Sequence, residues 1–491
     1  MLFNTLDFLI FFPLTLIFIV LIKNRKFQHI FIIIASLFFL YYTNNYLIVL
    51  LLFTIFFHFY LGREIAKLTT QKRKKVLFVI AVGGSLGLLG FFKYANFTIT
   101  QFNILGSYFN FDYQIPFLNI ILPIGISFYT FQSLSYIIDL YRGNLQPCKS
   151  LREYAFFISF FPQLVAGPIL RASQFLPQLR EKIEQTNVTQ NLRQLLIVHT
   201  NLKFGITLMA LGFFKKMFFA DNIAPFVDNI FANPIGLESY SVILGTIAFA
   251  IQIYCDFSGY SDIAIGAAAI LGFKIPLNFN KPFFATSPSD YWTRWHISLS
   301  SWVRDYLYLP LVFKNRKSDL RIVSSLLISM LLMGLWHGSA WNFVIWGGLH
   351  GIFLSFHTII RKRFPSYGSH QFFKTNLGKL FSILVTQYLI IFTFIAFRIQ
   401  DFDHMLYSMK KYIFLDFSTA QTIEIIKSNE LITVLIVLFI ALHIISYKQG
   451  NLAEKISNFR SVYWMLFLTT IFLLIALFYV GTAQQFIYFE F

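Results

Sequence analysis

Charge is what this sequence has least of. Asp, Glu, Lys and Arg together make up 13% of the 491 residues, and only 22 of them are acidic. A soluble globular chain carries about 25% charged residues, so there is too little polar surface here to face water on every side. Cysteine is scarcer still. Two residues, Cys148 and Cys255, exclude a disulfide framework and a thiolate metal cage. No internal repeat of about 20–50 residues is visible, which excludes a solenoid. The chain has no P-loop and no HExxH zinc pair.

Apolar residues fill the space instead, with 57% hydrophobic, 19% aromatic and a mean hydropathy of +0.64. The composition predicts an all-α polytopic membrane protein. Runs able to span a bilayer lie near Phe8–Ile22, Phe31–Tyr42, Tyr46–Leu61, Val76–Phe92, Ile115–Leu140, Phe204–Ala220, Ser241–Tyr254, Ile322–Leu335, Phe343–His357, Leu377–Phe397, Leu431–Ile445 and Tyr463–Val480. At about 20 residues per crossing they predict about 10–12 transmembrane helices in one domain, 1–491, with re-entrant and interfacial pieces besides. Phe156–Leu170, broken by Pro162 and Pro168, is the candidate re-entrant segment. The first run has no basic lead-in and reads as a retained helix.

The 40 Lys and Arg outnumber the acids and give a net charge of +18. They gather in clusters at Lys23–Lys26, Lys72–Lys75, Lys314–Lys317 and Arg361–Arg363, which the positive-inside rule places in the cytoplasm. Such clusters fit topology and anionic lipid rather than nucleic acid. The turn at Asn44-Asn45, between the first two clusters, is then external, as is the N-terminus. Gly83-x-x-x-Gly87 and Gly347-x-x-x-Gly351 have the spacing of close helix packing.

Three segments carry candidate chemistry. In the first, Ser287 as N-cap, Pro288 at the first position and Asp290 in the first turn start a helix. Trp292, Trp295, Leu299, Trp302, Tyr306 and Leu309 form one face of it, and Pro310 ends it. The pattern predicts an amphipathic interfacial helix carrying His296. In the second, Trp336 and Trp341 bracket His337, which lies 16 residues past Arg321. At about 1.5 Å per residue that is about 24 Å along a helix, inside the membrane region. Burial there favours neutral imidazole, the form that accepts a proton. Gly334 and Gly338 leave room beside the ring for another backbone or a ligand, while His350 and His357 share a face suited to packing. In the third, Cys255–Asp262, the carboxylates of Asp256 and Asp262 need partners: arginines, half-helix ends or a cation. A secondary transporter with these acids as coupling-ion ligands is the competing reading.

Taken in order, these segments resemble the membrane-bound O-acyltransferase family, in its bacterial branch of alginate and peptidoglycan O-acetyltransferases. The matching text is FFPQLVAGPILRASQFLPQL from Phe160, CDFSGYSDIAIGAAAILGF from Cys255, FNKPFFATSPSDYWTRWHISLSSWVRDYLYLPL from Phe279 and GLWHGSAWNFVIWGGLHG from Gly334. The opening MLFNTLDFLIFF and the closing FIYFEF also look like that branch, and the motif core covers about 155–360.

The resemblance implies a ring of tilted helices around a thin centre in the bacterial inner membrane. His337 takes the position of the family's essential histidine, and His296 that of the second histidine of this branch. It further implies acetyl transfer from a cytoplasmic thioester, acetyl-CoA, with no permanently bound cofactor or metal, to an extracytoplasmic polysaccharide through a periplasmic SGNH-hydrolase-like partner. In this reading His337 is the general base, and His296 orients the donor or polarises its carbonyl. Trp336, Trp341, Arg294, Arg304, Asp305 and Asp256 bind substrate, and Arg294, Arg304, Lys314, Arg316 and Lys317 face the donor phosphates. Val312-Phe313 stands where this branch has Gly-Gly, near the donor entrance, which keeps the related D-alanyl transferases of teichoic acid synthesis as competitors.

Overall fold

The computed structural model describes residues 1–111, 113–184, 199–313, 315, 317–366, 370–481 and 485–487. Every regular element among them is helical. Seven helical stretches are long and apolar enough to cross a membrane: Arg25–Lys67, Gln71–Tyr108, Ser239–Ile270, Asp319–His337, Trp341–Arg363, Asn376–Arg398 and Glu430–Gln449. Leu6–Leu21 and Ser461–Leu477 are shorter apolar helices. The count differs from the expected 10–12 partly because the first stretch joins two helices, Arg25–Asn44 and Ile48–Lys67, through a single 3-10 turn. In addition, two of the predicted spans are not single α-helices.

Contacts group the residues into two compact units, Met1–Ile206 with Ala264–Pro276, and Thr207–Ile263 with Leu277–Phe491. In the first unit the apolar run expected to span as Ile115–Leu140 becomes a helix only at Ile126, and 115–122 has no regular structure. Asparagines satisfy part of its backbone. Asn103 takes the N–H of Ile115 at 2.8 Å and donates to its carbonyl at 2.9 Å; Asn96 does the same for Leu118, at 2.9 Å each way. Asn44 repeats the pattern on Ile124, accepting at 3.1 Å and donating at 2.9 Å.

The spacing explains the fit. Seven residues of helix rise about 10.5 Å, and three residues of extended chain cover about 10 Å, so Asn103 and Asn96 meet Ile115 and Leu118 running the opposite way. Hydrophobicity alone gives no sign of this.

Phe156–Leu170 is a broken segment, as expected. The short helices Leu151–Ser159 and Phe161–Leu164 are separated at Phe160, and every residue from 156 to 170 is buried. Irregular backbone is tolerated at membrane depth when protein surrounds it. Phe156, Phe160, Phe175 and Phe273 form its packing, with ring centroids 5.0–6.1 Å apart. Gly83 and Gly87 do not pack as the motif predicted: a methyl group on either would meet nothing within 4 Å. Gly84 faces Phe57 instead.

In the second unit the run Phe204–Ala220 ends in a π-helical turn, Phe214–Ala220, that leads directly into Asp221–Ala232. Asn44→Leu tests the asparagine hooks. It leaves both polar groups of Ile124 without their partner, and removing one side of such pairs costs about 1–3 kcal/mol each. The variant is expected to melt several degrees lower in detergent than the wild type, and an unchanged melting temperature would show that the hook contributes nothing.

Candidate functional site

The second unit is organised around the antiparallel pair Asp319–His337 and Trp341–Arg363. Their approach is set by glycine. A Cβ on Gly334 would strike the carbonyl of Phe343 and lie 3.1 Å from Gly347 Cα, and one on Gly347 would strike the carbonyl of Met330. Gly351 sits 3.2 Å from Leu327 Cα by the same measure. The Gly347/Gly351 pair therefore packs as its spacing predicted. The space beside Gly334 and Gly338 holds the backbone and ring of Phe343, not a ligand.

His337 is the last residue of its helix, and Gly338 turns the chain out in extended conformation. The ring keeps 6% of its surface. It is enclosed by Trp336 at 4.9 Å, Trp346 at 5.0 Å and Phe397 at 5.4 Å between centroids. Trp346 touches His350 at 4.7 Å, and Trp292 touches both at 5.9 and 5.0 Å. The indole N–H groups of Trp346 and Trp292 are buried with no hydrogen-bond partner among the described residues. Buried donors left this way call for an explanation. Trp341, in contrast, is 56% exposed.

His296 does not lie inside a continuous interfacial helix. Ser287 caps as predicted, accepting from the Asp290 N–H at 3.1 Å, but the helix stops at Trp292 and a second, Ile297–Val303, begins after His296, whose φ is +44°. The break is made from a distance by Asn278. Its carbonyl accepts from the Ile297 N–H at 2.9 Å, and its Oδ1 accepts from the Ser298 N–H at 3.2 Å and the Ser298 hydroxyl at 2.8 Å. Its Nδ2 donates to Ser261 at 3.1 Å. The tryptophan face is also packed against protein rather than lipid, for Trp292, Trp295 and Trp302 are all buried. Past Tyr308 the helix runs on through Pro310 to Val312.

The same Oδ1 lies 3.3 Å from His296 Nδ1. Because Oδ1 already accepts a backbone N–H, it is an oxygen and not the amide nitrogen, so Nδ1 is the protonated nitrogen and Nε2 carries the lone pair. Burial keeps the ring neutral, lowering its pKa from 6.5 to about 3. Trp336, 6.3 Å from His296 and 4.9 Å from His337, brings the two histidines into one cluster.

The other predicted substrate residues fall elsewhere. Arg294 is held by Asp290 at 2.7 Å and Arg304 by Asp305 at 2.7 Å, both local pairs. Lys317 is described, while Lys314 and Arg316 lie outside the described residues. Asp256 is paired with Lys216 at 2.5 Å and Asp262 with Lys215 at 2.6 Å, so lysines rather than arginines meet these acids. That removes the free carboxylates the transporter reading required. His350 bonds Thr393 at 2.9 Å and His357 bonds Ser289 at 3.0 Å, the packing roles expected of them. Sequence reasoning missed Asn278, Lys216 and Trp346. No cluster of three metal-ligating side chains occurs among the described residues.

Comparison with known proteins places the sequence in a family. Residues 148–399 match the model of the MBOAT, membrane-bound O-acyltransferase, family. The chain is 32% identical over 412 residues to the peptidoglycan O-acetyltransferase of Helicobacter pylori, covering 79% of this chain and 74% of that protein. It is 42% identical over 313 residues to the probable alginate O-acetylase AlgI of Azotobacter vinelandii, covering 62% and 58%. With the teichoic acid D-alanyltransferase of Bacillus subtilis it shares 31% identity over 300 residues, covering 58% and 71%.

Two glycine variants separate packing from mere composition. Gly334→Ala overpacks the helix pair and is expected to cost about 1–3 kcal/mol. Gly87→Ala meets open space and is expected to gain roughly 0.5–1 kcal/mol from helix propensity. Thermal melting in detergent reads both; equal shifts for the two variants contradict the assignment of the close contact to Gly334.

Proposed function

The chain belongs to the membrane-bound O-acyltransferase family and is an acyltransferase, and on that footing we propose that it transfers acetyl groups from cytoplasmic acetyl-CoA to a hydroxyl of an extracytoplasmic polysaccharide of the alginate or peptidoglycan type. A periplasmic SGNH-hydrolase-like transferase receives the group on its way, and the protein resides in the bacterial inner membrane. One observation carries the chemistry: the His337 ring is held in an aromatic cage beside the uncommitted indole N–H of Trp346.

A thioester is already activated, so the enzyme has to position an acceptor hydroxyl and take its proton. His337 removes that proton as the oxygen attacks the thioester carbonyl, a contribution of about 10²- to 10⁴-fold for a positioned base. Negative charge then develops on the carbonyl oxygen, and the Trp346 N–H, on a ring packed against His337 and without a partner among the described residues, is the donor this reading assigns to it. As the tetrahedral species collapses, the thiolate leaves and recovers the proton from the imidazolium.

The tautomer of His296 revises its expected role. With Nδ1–H directed at Asn278, Nε2 accepts and does not donate, so this ring suits orienting a hydroxyl and does not suit stabilising an oxyanion.

His337→Ala is expected to abolish transfer of radiolabelled acetyl from acetyl-CoA in membranes with expression unchanged. Trp346→Phe keeps the ring and removes the donor; loss of one oxyanion donor lowers kcat by about 10²- to 10³-fold. Near-normal acetylation by His337→Ala rules out the base role.

A further inference from the structure

The unit Met1–Ile206 with Ala264–Pro276 contains an open groove of about 550 Å³, within the range of about 300–1,000 Å³ typical of small-ligand sites. None of the roles above uses it. Two helices supply most of its walls, Arg25–Asn44 and Leu151–Ser159, and polar and apolar residues are sorted along both. Lys26, Ser150 and Arg152 stand at the helix starts, while Ile30, Ile33 and Ala155 follow one to two turns further in. From Lys26 to Ile33 the helix rises about 10.5 Å. The groove is therefore charged at one end and aliphatic beyond it.

The charged end lies on the cytoplasmic side. Lys26 closes the basic cluster Lys23–Lys26, and the chain returns to a second cluster, Lys72–Lys75, after the two helices Arg25–Asn44 and Ile48–Lys67. A pair of spans leaves both clusters on one face, which the positive-inside rule makes the cytoplasmic one.

The cations there are uncommitted. Neither the Lys26 ammonium nor the Arg152 guanidinium has a hydrogen-bond or ion-pair partner among the described residues; Lys26 is exposed and Arg152 half-buried. Glu153, next in sequence to Arg152, is spent elsewhere. It is buried, paired with Arg180 at 2.5 Å, and accepts the Lys149 N–H at 2.6 Å. The surroundings are positive as well, since Arg25, Arg152 and Lys182 all act on the His29 ring, offset in part by Glu181 beside Lys182.

This distribution selects the occupant. A phosphodiester with a hydrocarbon tail meets both ends of the groove at once, and burial of the tail on isoleucine adds to the charge attraction. A zwitterionic lipid brings an ammonium toward the cations and finds no carboxylate in the groove lining to receive it. Acetyl-CoA fits less well, because its several phosphate charges exceed two cations and its short acyl group leaves the aliphatic wall uncovered.

We propose that this groove binds an anionic phospholipid of the cytoplasmic leaflet, its phosphate held by Lys26 and Arg152 and one acyl chain lying on Ile30, Ile33 and Ala155. The proposal stands independently of the acyl-transfer reading.

The test titrates the purified full chain in detergent with dioleoyl phosphatidylglycerol and, separately, dioleoyl phosphatidylethanolamine, and reads bound lipid by native mass spectrometry. A basic residue near an anionic membrane surface contributes about fivefold in affinity, so Lys26→Gln and Arg152→Gln are each expected to weaken phosphatidylglycerol binding about fivefold, and the double variant about 30-fold. Lys26 is exposed, so its substitution leaves the fold intact. Ala155→Phe keeps both cations, fills the aliphatic slot and is expected to weaken binding severalfold. Lys75→Gln removes an exposed cation from the second cluster and is expected to change nothing.

Equal affinity for the two lipids overturns the proposal. So does an equal loss in Lys75→Gln and Lys26→Gln, which marks a diffuse attraction in place of a groove. Displacement of the lipid by an equal concentration of sn-glycerol 1-phosphate overturns it in favour of a simple anion site, and displacement by acetyl-CoA overturns it in favour of the donor.

Discussion

The contact between Gly334 and the backbone of Phe343 and Gly347 is the constraint on which the candidate site depends. Lipid tails are as apolar as leucine, so helices in a bilayer gain little from burying one hydrophobic side chain on another, and close backbone approach governs how they pair. Here the approach fixes two helices joined by three residues, and the histidine ends the first of them. Its direction is thus set by main-chain geometry, and the rings of Trp336, Trp346 and Phe397 fill the space around it.

Several polar groups away from water are matched by a particular partner, as Asp256 is by Lys216 and Asn278 by Ser261 and Ser298. Buried ion pairs seldom add net stability, because desolvation offsets their attraction, but removing one partner is costly. Lys216 is held by two aspartates and a carbonyl, so loss of the lysine leaves two buried carboxylates without their cation. The indole N–H groups of Trp292 and Trp346 are among those with no such partner among the described residues.

Much of the helical framework was legible because a span is encoded by a local property, its run of apolar residues. Asp319–His337 and Trp341–Arg363 appear within a few residues of where hydropathy put them, while Gln71–Tyr108 contains its predicted run and extends 16 residues beyond it. The clustering of His296 and His337 about Trp336 joins two segments that their motifs had singled out. What stayed hidden depends on distant residues. The break at His296 is created by Asn278, 18 positions earlier, against a periodicity that favours continuing the helix. Lys216 lies 40 positions from Asp256, and no pattern in either segment announces the other. Gly83 and Gly87 have the right spacing but no neighbour to receive them.

The asparagines of the first unit have one more consequence. A carboxamide offers a donor and an acceptor side by side in a plane, as a peptide group does, so Asn96 and Asn103 treat the extended segment as if they were a neighbouring strand. Because the two hooks match helix rise to strand rise, an insertion or deletion of a single residue between Ile115 and Leu118 unfastens one of them whichever way the chain adjusts. Loops usually drift in length over evolutionary time; this one is held to a fixed gauge, and its residue count is as much a part of the fold as any buried side chain.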